Sequence, residues 1–189
     1  MYHTVLIDPP WNESGGGRIK RGADRHYSLL KTKDIPGVIL ESGVFAPADN
    51  AHLYLWVTNN FLRDGLGVME QLGFRYVTVL TWAKGEMVGG EIVPGRIGLG
   101  QYFRGQTEQL LFGVRGQLPA IEKGKTLIVA PRGRHSQKPV AAYEMIERVS
   151  PGPRLEMFAR SVRDGWTAWG NEAQPDLFTG CRYPVDKPA

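Results

Sequence analysis

Short runs of β-branched and aromatic residues recur along this chain, separated by longer segments whose apolar residues fall at helical spacing. That alternation is what a parallel or mostly parallel sheet requires, because a parallel return needs a connection long enough to hold a helix. Strands are predicted at residues 4–7, 52–57, 75–82, 108–114, 126–130, 154–158 and 165–169. A helix is predicted at 31–40, interrupted or restarted by Pro36, and another at 60–72, with Leu62, Leu66 and Met69 on one face and Gly73 at its stop. A third runs from Pro139, well suited to a first helical turn, to Val149, with Ala142, Met145, Ile146 and Val149 as its buried stripe. Residues 83–104 hold neither a period of 2 nor of 3.6 and read as a long loop. The predicted class is α/β, a single mostly parallel sheet with helices on both faces.

At 189 residues the chain has room for about one domain of ordinary size. Residues 1–172 are expected to form it, with 173–189 a loosely ordered tail. No apolar stretch approaches the roughly 20 residues of a membrane span, and the N-terminus lacks the basic and then apolar regions of a secretory signal. One cysteine, Cys181, allows no internal disulfide and fits a reducing compartment. A soluble, cytoplasmic protein is expected. The net charge of +4 permits a polyanionic partner without requiring one.

The most informative residues are Asp8-Pro9-Pro10-Trp11, at the end of the first strand, where open α/β sheets place their ligands. A Pro-Pro pair at a given position is roughly a one-in-400 event, and an Asp before it and a Trp after it make coincidence far rarer. Proline fixes its own φ and restricts the residue before it, so the chain is held extended. The Asp8 carboxylate and the Pro9 carbonyl are then two acceptors able to face one point, which suits an exocyclic NH2 group. Two readings of Trp11 stay open, a ring that stacks on the base carrying the amine and a core plug beneath a rigid turn.

Asp8-Pro9-Pro10-Trp11 and several further blocks, in order, resemble the MT-A70 family of adenine-N6 methyltransferases. The blocks are Tyr27, Thr81-Trp82-Ala83-Lys84, Gly100 through Glu108, Leu111 through Gly116, Ser136-Gln137-Lys138-Pro139, Ile146-Glu147-Arg148, Glu156-Met157-Phe158-Ala159-Arg160 and Trp169-Gly170-Asn171-Glu172. The resemblance implies a Rossmann-like sheet in circularly permuted order, S-adenosylmethionine as cofactor, and methyl transfer to adenine in nucleic acid, DNA favoured over RNA. The same reaction on RNA and a non-catalytic nucleic-acid-binding relative are the alternatives, and the intact Asp8 and prolines argue for activity.

By the same resemblance Asp8, Pro9, Pro10 and Trp11 are the catalytic set. Asp8, Lys138, Glu156, Phe158, Arg160, Asn171 and Glu172 are the cofactor set, Lys138 meeting the methionyl carboxylate. Trp11, Tyr27, Lys84, Tyr102, Arg104 and Glu108 fall on the substrate side, though Tyr27 and Tyr102 equally suit a core. The chain departs from the family pattern at Ala159, where Gly is usual, across 161–165, which is shorter and lacks a His, and at Glu172, where Gln is common.

Residues 12–26, with three consecutive glycines and Arg18, Lys20, Arg21 and Arg25, suit a lid over nucleic acid, as do Lys84, Arg96 and Arg104. No metal is expected, since His3, His26, His52 and His135 have no ligand spacing. Gly100 to Thr107 approaches a phosphate-binding loop, but Gln106 stands where its Lys belongs. A second copy of the chain is a candidate partner, and with no room for a separate recognition domain, sequence selectivity is expected to be short or relaxed.

Overall fold

The structure, a computed structural model, describes residues 1–12, 30–95, 97–98, 102–133 and 137–170. Expectations for the cations of 13–29, for Tyr27, Arg96, Asn171 and Glu172, and for the tail lie outside the described residues.

One mixed sheet organises the fold. Its strands are β1 (Tyr2–Ile7), β2 (Pro47–Val57), β3 (Arg75–Val88), β4 (Glu91–Pro94), β5 (Thr107–Arg115), β6 (Leu127–Ala130), β7 (Arg154–Met157) and β8 (Trp166–Trp169). The order is β4-β3-β5-β2-β1-β7-β8, with β6 beside the C-terminal half of β3. Pairings β1–β2, β1–β7, β7–β8 and β3–β6 are parallel, whereas β5 runs antiparallel to both β2 and β3. β1 lies between two parallel neighbours, so residues 4–7 are buried on both faces.

Among the described residues three α-helices cover the sheet: α1 (Ile35–Leu40), α2 (Leu62–Gln71) and α3 (Val140–Val149). Strand residues alternate between two cores. Val5, Ile7, Leu55, Val57 and Leu111 pack with Ile35, Ile39 and Met69 of α1 and α2. Leu6, Tyr54, Trp56 and Leu110 pack with Ala142, Met145 and Ile146 of α3. Helices therefore lie on both faces, as the sequence predicts, and of the stripe expected for α3 Ala142, Met145 and Ile146 are buried while Val149 is half-buried.

Two expectations are corrected. The buried face of α2 is Gly65, Val68 and Met69, while Leu62 and Leu66 are 40% and 37% exposed. A β-carbon on Gly65 would collide with Val57 and come within 3.0 Å of Leu111 Cδ1, so the helix crosses the sheet at a distance only glycine permits. The second correction concerns residues 83–104, part of which is regular: β3 continues to Val88, turns through Gly89 and Gly90 and pairs antiparallel with β4. Both glycines have positive φ, as a two-residue hairpin turn of the primed type demands.

Candidate active site

The topology brings the site together on one edge. The parallel strands β1, β2 and β7 end there, and β3 and β6 run the same way. Because β5 is antiparallel to β2 and β3, it delivers its beginning to that edge, with Glu108 level with Trp82. Lys138 arrives from the other direction, immediately before Pro139, the N-cap residue of α3.

Asp8 follows the last residue of β1, and four hydrogen bonds fix its surroundings. The Asp8 N–H donates to Met157 O (3.3 Å), the Trp11 N–H to Pro9 O (2.8 Å) and the Leu30 N–H to Pro10 O (3.1 Å). The Trp11 indole Nε1–H donates to Trp56 O at 2.9 Å. The Pro9 carbonyl thus already accepts one bond and keeps a second lone pair.

Charged side chains alternate in sign from this point. Lys138 Nζ lies 2.9 Å from Asp8 Oδ1 and 3.2 Å from Glu108 Oε2, and Glu108 also pairs with Lys84. All four side chains are only 9–17% exposed. The two ammonium groups also sit over indole rings, Lys138 at 5.3 Å from the Trp56 centroid and Lys84 at 5.0 Å from that of Trp82.

The local fields follow from this arrangement. Burial works against the Lys138 ammonium, but the carboxylates of Asp8 and Glu108 outweigh it and hold the group protonated above its ordinary range. Burial likewise opposes ionisation of Glu108, yet Lys138 and Lys84 keep that carboxyl below its ordinary value. Lys84 is shifted down, by burial and by the cations of Arg132 and Lys138, despite Glu108.

Beside this chain of charges, Glu156 of β7 accepts a 2.7 Å hydrogen bond from the Tyr143 hydroxyl of α3. Burial, with Asp8 adding to it, pushes the Glu156 carboxyl up to about 7 against that hydrogen bond. The next residue but one, Phe158, has φ of +62° at the end of β7, a conformation that side chains avoid and that recurs at ligand sites.

Comparison with known proteins gives the family. The MT-A70 family matches residues 2–172. The chain belongs to the MT-A70 family. It is 29% identical over 193 residues to the Type II methyltransferase M.MunI of Mycoplasma sp, covering 90% of this chain and 77% of that protein. It is also 29% identical to the N(6)-adenosine-methyltransferase MT-A70-like protein of Drosophila melanogaster, over 97% of this chain and 30% of that protein. The N(6)-adenosine-methyltransferase catalytic subunit METTL3 of Homo sapiens matches at 29% identity over 90% of this chain and 28% of its own length. The chain thus spans under a third of these last two relatives.

Within this MT-A70 chain the expected residues separate into two groups. Asp8, Lys84, Glu108 and Lys138 are brought together in one chain of ion pairs, and Glu156 stands beside it. Tyr102 and Arg104 are exposed, Tyr102 at 91%. Of the two readings of Trp11, the structure has the core plug: its ring is 6% exposed and stacked on Phe61 at 5.2 Å, and its N–H is used by Trp56. It is a core residue that pins the tetrapeptide.

The structure adds residues that sequence reasoning passed over. Trp56 floors Lys138, and Tyr143 binds Glu156. The period-2 pattern of β2 signals the first, since Trp56 shares a sheet face with Leu6 of β1. The S-adenosylmethionine that the family implies fits this edge. Asp8 and Lys138 are an opposite-charge pair matched to an amino-acid zwitterion, and Trp56 Nε1 and Thr58 Oγ1 are buried without a hydrogen-bond partner among the described residues.

Proposed function

We propose that this chain transfers a methyl group from S-adenosylmethionine to the exocyclic amino nitrogen of adenine in nucleic acid, DNA in preference to RNA. The observation that carries the reading is Asp8, held by an extended Pro-Pro turn at the sheet edge and paired at 2.9 Å with Lys138. S-adenosylmethionine supplies, when bound, an electrophilic methyl group on a positively charged sulfur. Lys138 is the residue for its carboxylate and Asp8 for its ammonium. Glu156, Phe158 and Arg160, with Asn171 and Glu172, are the residues for its nucleoside end.

The amino nitrogen of adenine is a poor nucleophile because its lone pair is delocalised into the ring. The Asp8 carboxylate and the free lone pair of the Pro9 carbonyl each accept one amino proton, which favours the pyramidal nitrogen and stabilises the positive charge that develops there. One proton must leave as the new N–C bond forms and the methyl–sulfur bond breaks with its electron pair left on sulfur, and Asp8 takes the proton and passes it to water. Holding the base at the right distance and angle contributes most of the remaining rate. Glu108 and Lys84 hold Lys138 in place, and Trp11 holds the turn.

DNA is supported by the match to the Type II methyltransferase, 29% identical over 90% of this chain. RNA is the second reading, supported by the human catalytic subunit's match to 90% of this chain. Labelled S-adenosylmethionine offered with single-stranded DNA, duplex DNA and RNA of one sequence, followed by nucleoside analysis, separates them. N6-methyladenine in DNA above RNA is the expected result; label on another atom, or on none of the three, overturns the proposal.

A further inference from the structure

Tyr102 and Phe103 are both 91% exposed, more than any other large apolar side chain described. Leaving two adjacent aromatic rings in water forgoes the burial that usually dominates an aromatic residue's contribution. The backbone just beyond them, at Gly105 and Gln106, is tied to the strands that build the site. The Gly98 N–H donates to Gly105 O at 2.9 Å. The Lys84 N–H donates to Gln106 O, and the Gly95 N–H to Lys84 O, both at 2.8 Å. Glu108 is two residues beyond Gln106, so Phe103 stands at most about 17 Å of chain from the ion pairs.

The foot of this loop is cationic. A β-carbon on Gly98 would sit 3.4 Å from Arg132 Nη2, and Arg104, next to Phe103, is exposed. Bare planar rings over a basic foot, beside a pocket read as taking a purine, match a polyanion whose bases stack.

We propose that Phe103, with Tyr102 beside it, is a wedge that enters a duplex at the target adenine and fills the space left when the base is turned out. The proposal rests on the adenine reading above and names the duplex as substrate. A base removed from the stack leaves a gap of about 3.4 Å, the thickness of one aromatic ring, and a side chain placed there offsets the unstacking cost. Arg104 and Arg132 are positioned for the flanking phosphates. No bond is made or broken in this step.

The test uses the full chain with one sequence as duplex and as single strand, and a duplex carrying 2-aminopurine at the target position. Phe103→Ala is expected to lower kcat/KM on the duplex at least ~10-fold, the scale of one lost base stack, and to leave the single strand within about twofold. Phe103→Trp restores the duplex reaction. The rise in 2-aminopurine fluorescence on wild-type binding is lost in Phe103→Ala.

Equal loss on both substrates, no loss on either, or a wild-type chain that methylates single strands alone overturns the wedge. So does a fall in sedimentation mass in Phe103→Ala, which assigns the rings to contact with a second copy. Wild-type fluorescence enhancement without adenine methylation upholds the wedge and overturns the reaction proposed above. Adenine methylation with no effect of Phe103→Ala does the reverse.

Discussion

Lys138 Nζ lies 2.9 Å from Asp8 Oδ1, so the carboxylate proposed to meet the amine shares its cation with the proposed cofactor site. Glu108 takes the same ammonium from the other side at 3.2 Å. Replacing Lys138 with Met keeps the stem and removes the charge, leaving two carboxylates without their shared counter-ion. Breaking a buried pair in this way costs about 3–5 kcal/mol. Lys138→Met is therefore expected to lower the urea midpoint and to raise the dissociation constant for S-adenosylmethionine at least ~10-fold by calorimetry. An unchanged constant refutes the binding role.

Asp8→Asn makes the contrasting case. Lys138 keeps Glu108 as partner, so the fold should survive with a near wild-type circular dichroism spectrum. Turnover at saturating cofactor is expected to fall roughly 10²–10³-fold, the usual effect of removing one preorganised stabilising group, and the dissociation constant for S-adenosylmethionine to rise as well, since Asn offers its ammonium no charge. Wild-type turnover in this variant removes Asp8 from the mechanism.

Glu156 predicts a pH dependence of stability. Its carboxyl ionises near 7 in the fold against an ordinary 4.5, chiefly because it is buried. Between these values the native state holds a proton that the unfolded state has lost. The contribution is complete below 4.5 and lost as the pH rises through 7, on the order of 3 kcal/mol in all. Glu156→Gln, neutral throughout, should be the more stable protein at pH 8 and lose that advantage at pH 5. Parallel urea midpoints for the two proteins at both pH values contradict this.

His52 acts with the opposite sign. Its Nε2–H donates to Leu118 O at 2.9 Å, which leaves Nδ1 to accept from Ser150 Oγ at 2.7 Å. Ser150 in turn accepts from the Tyr54 hydroxyl, whose own ionisation burial pushes up to about 12. Burial lowers the His52 pKa below 6.5, more than the Leu118 contact raises it. The unfolded state then binds the extra proton first, so stability is lost as the pH falls below 6.5. His52→Gln should remove this loss of stability between pH 6.5 and 5 and leave the opposite trend of Glu156, whereas Glu156→Gln should steepen the loss.

These cases show what the amino-acid order reveals. Most strands are legible because β-branched runs mark them, and Asp8 is legible because a Pro-Pro pair between Asp and Trp has no common structural use. The buried face of α2 is not, since its closest contact with the sheet is Gly65, which has no side chain for a hydropathy pattern to register. β4 is hidden by Gly89, Gly90 and Pro94, which read as loop residues. The meeting of Glu108 with Lys138 depends on β5 running antiparallel, a property of long-range pairing that local spacing does not encode. The His52–Ser150–Tyr54 network depends on contacts 96 and 98 residues apart in sequence.

Trp11 provides the sharpest test of structure against motif. Its ring lies on Phe61 at 21° between planes, and its N–H meets Trp56 O, so both its surface and its donor are committed to the core. Trp11→Phe keeps an aromatic ring and deletes the donor, leaving the Trp56 carbonyl one bond short, and is expected to cost about 1–3 kcal/mol of stability. If the residue only pins the turn, KM for nucleic acid should move less than about threefold at a temperature where the variant is folded. Loss of a stacked base would instead raise KM by roughly 5- to 150-fold. A rise of that size, with stability intact, would mean that Trp11 leaves Phe61 when substrate binds, and that the base-stacking role read from the motif describes the bound state.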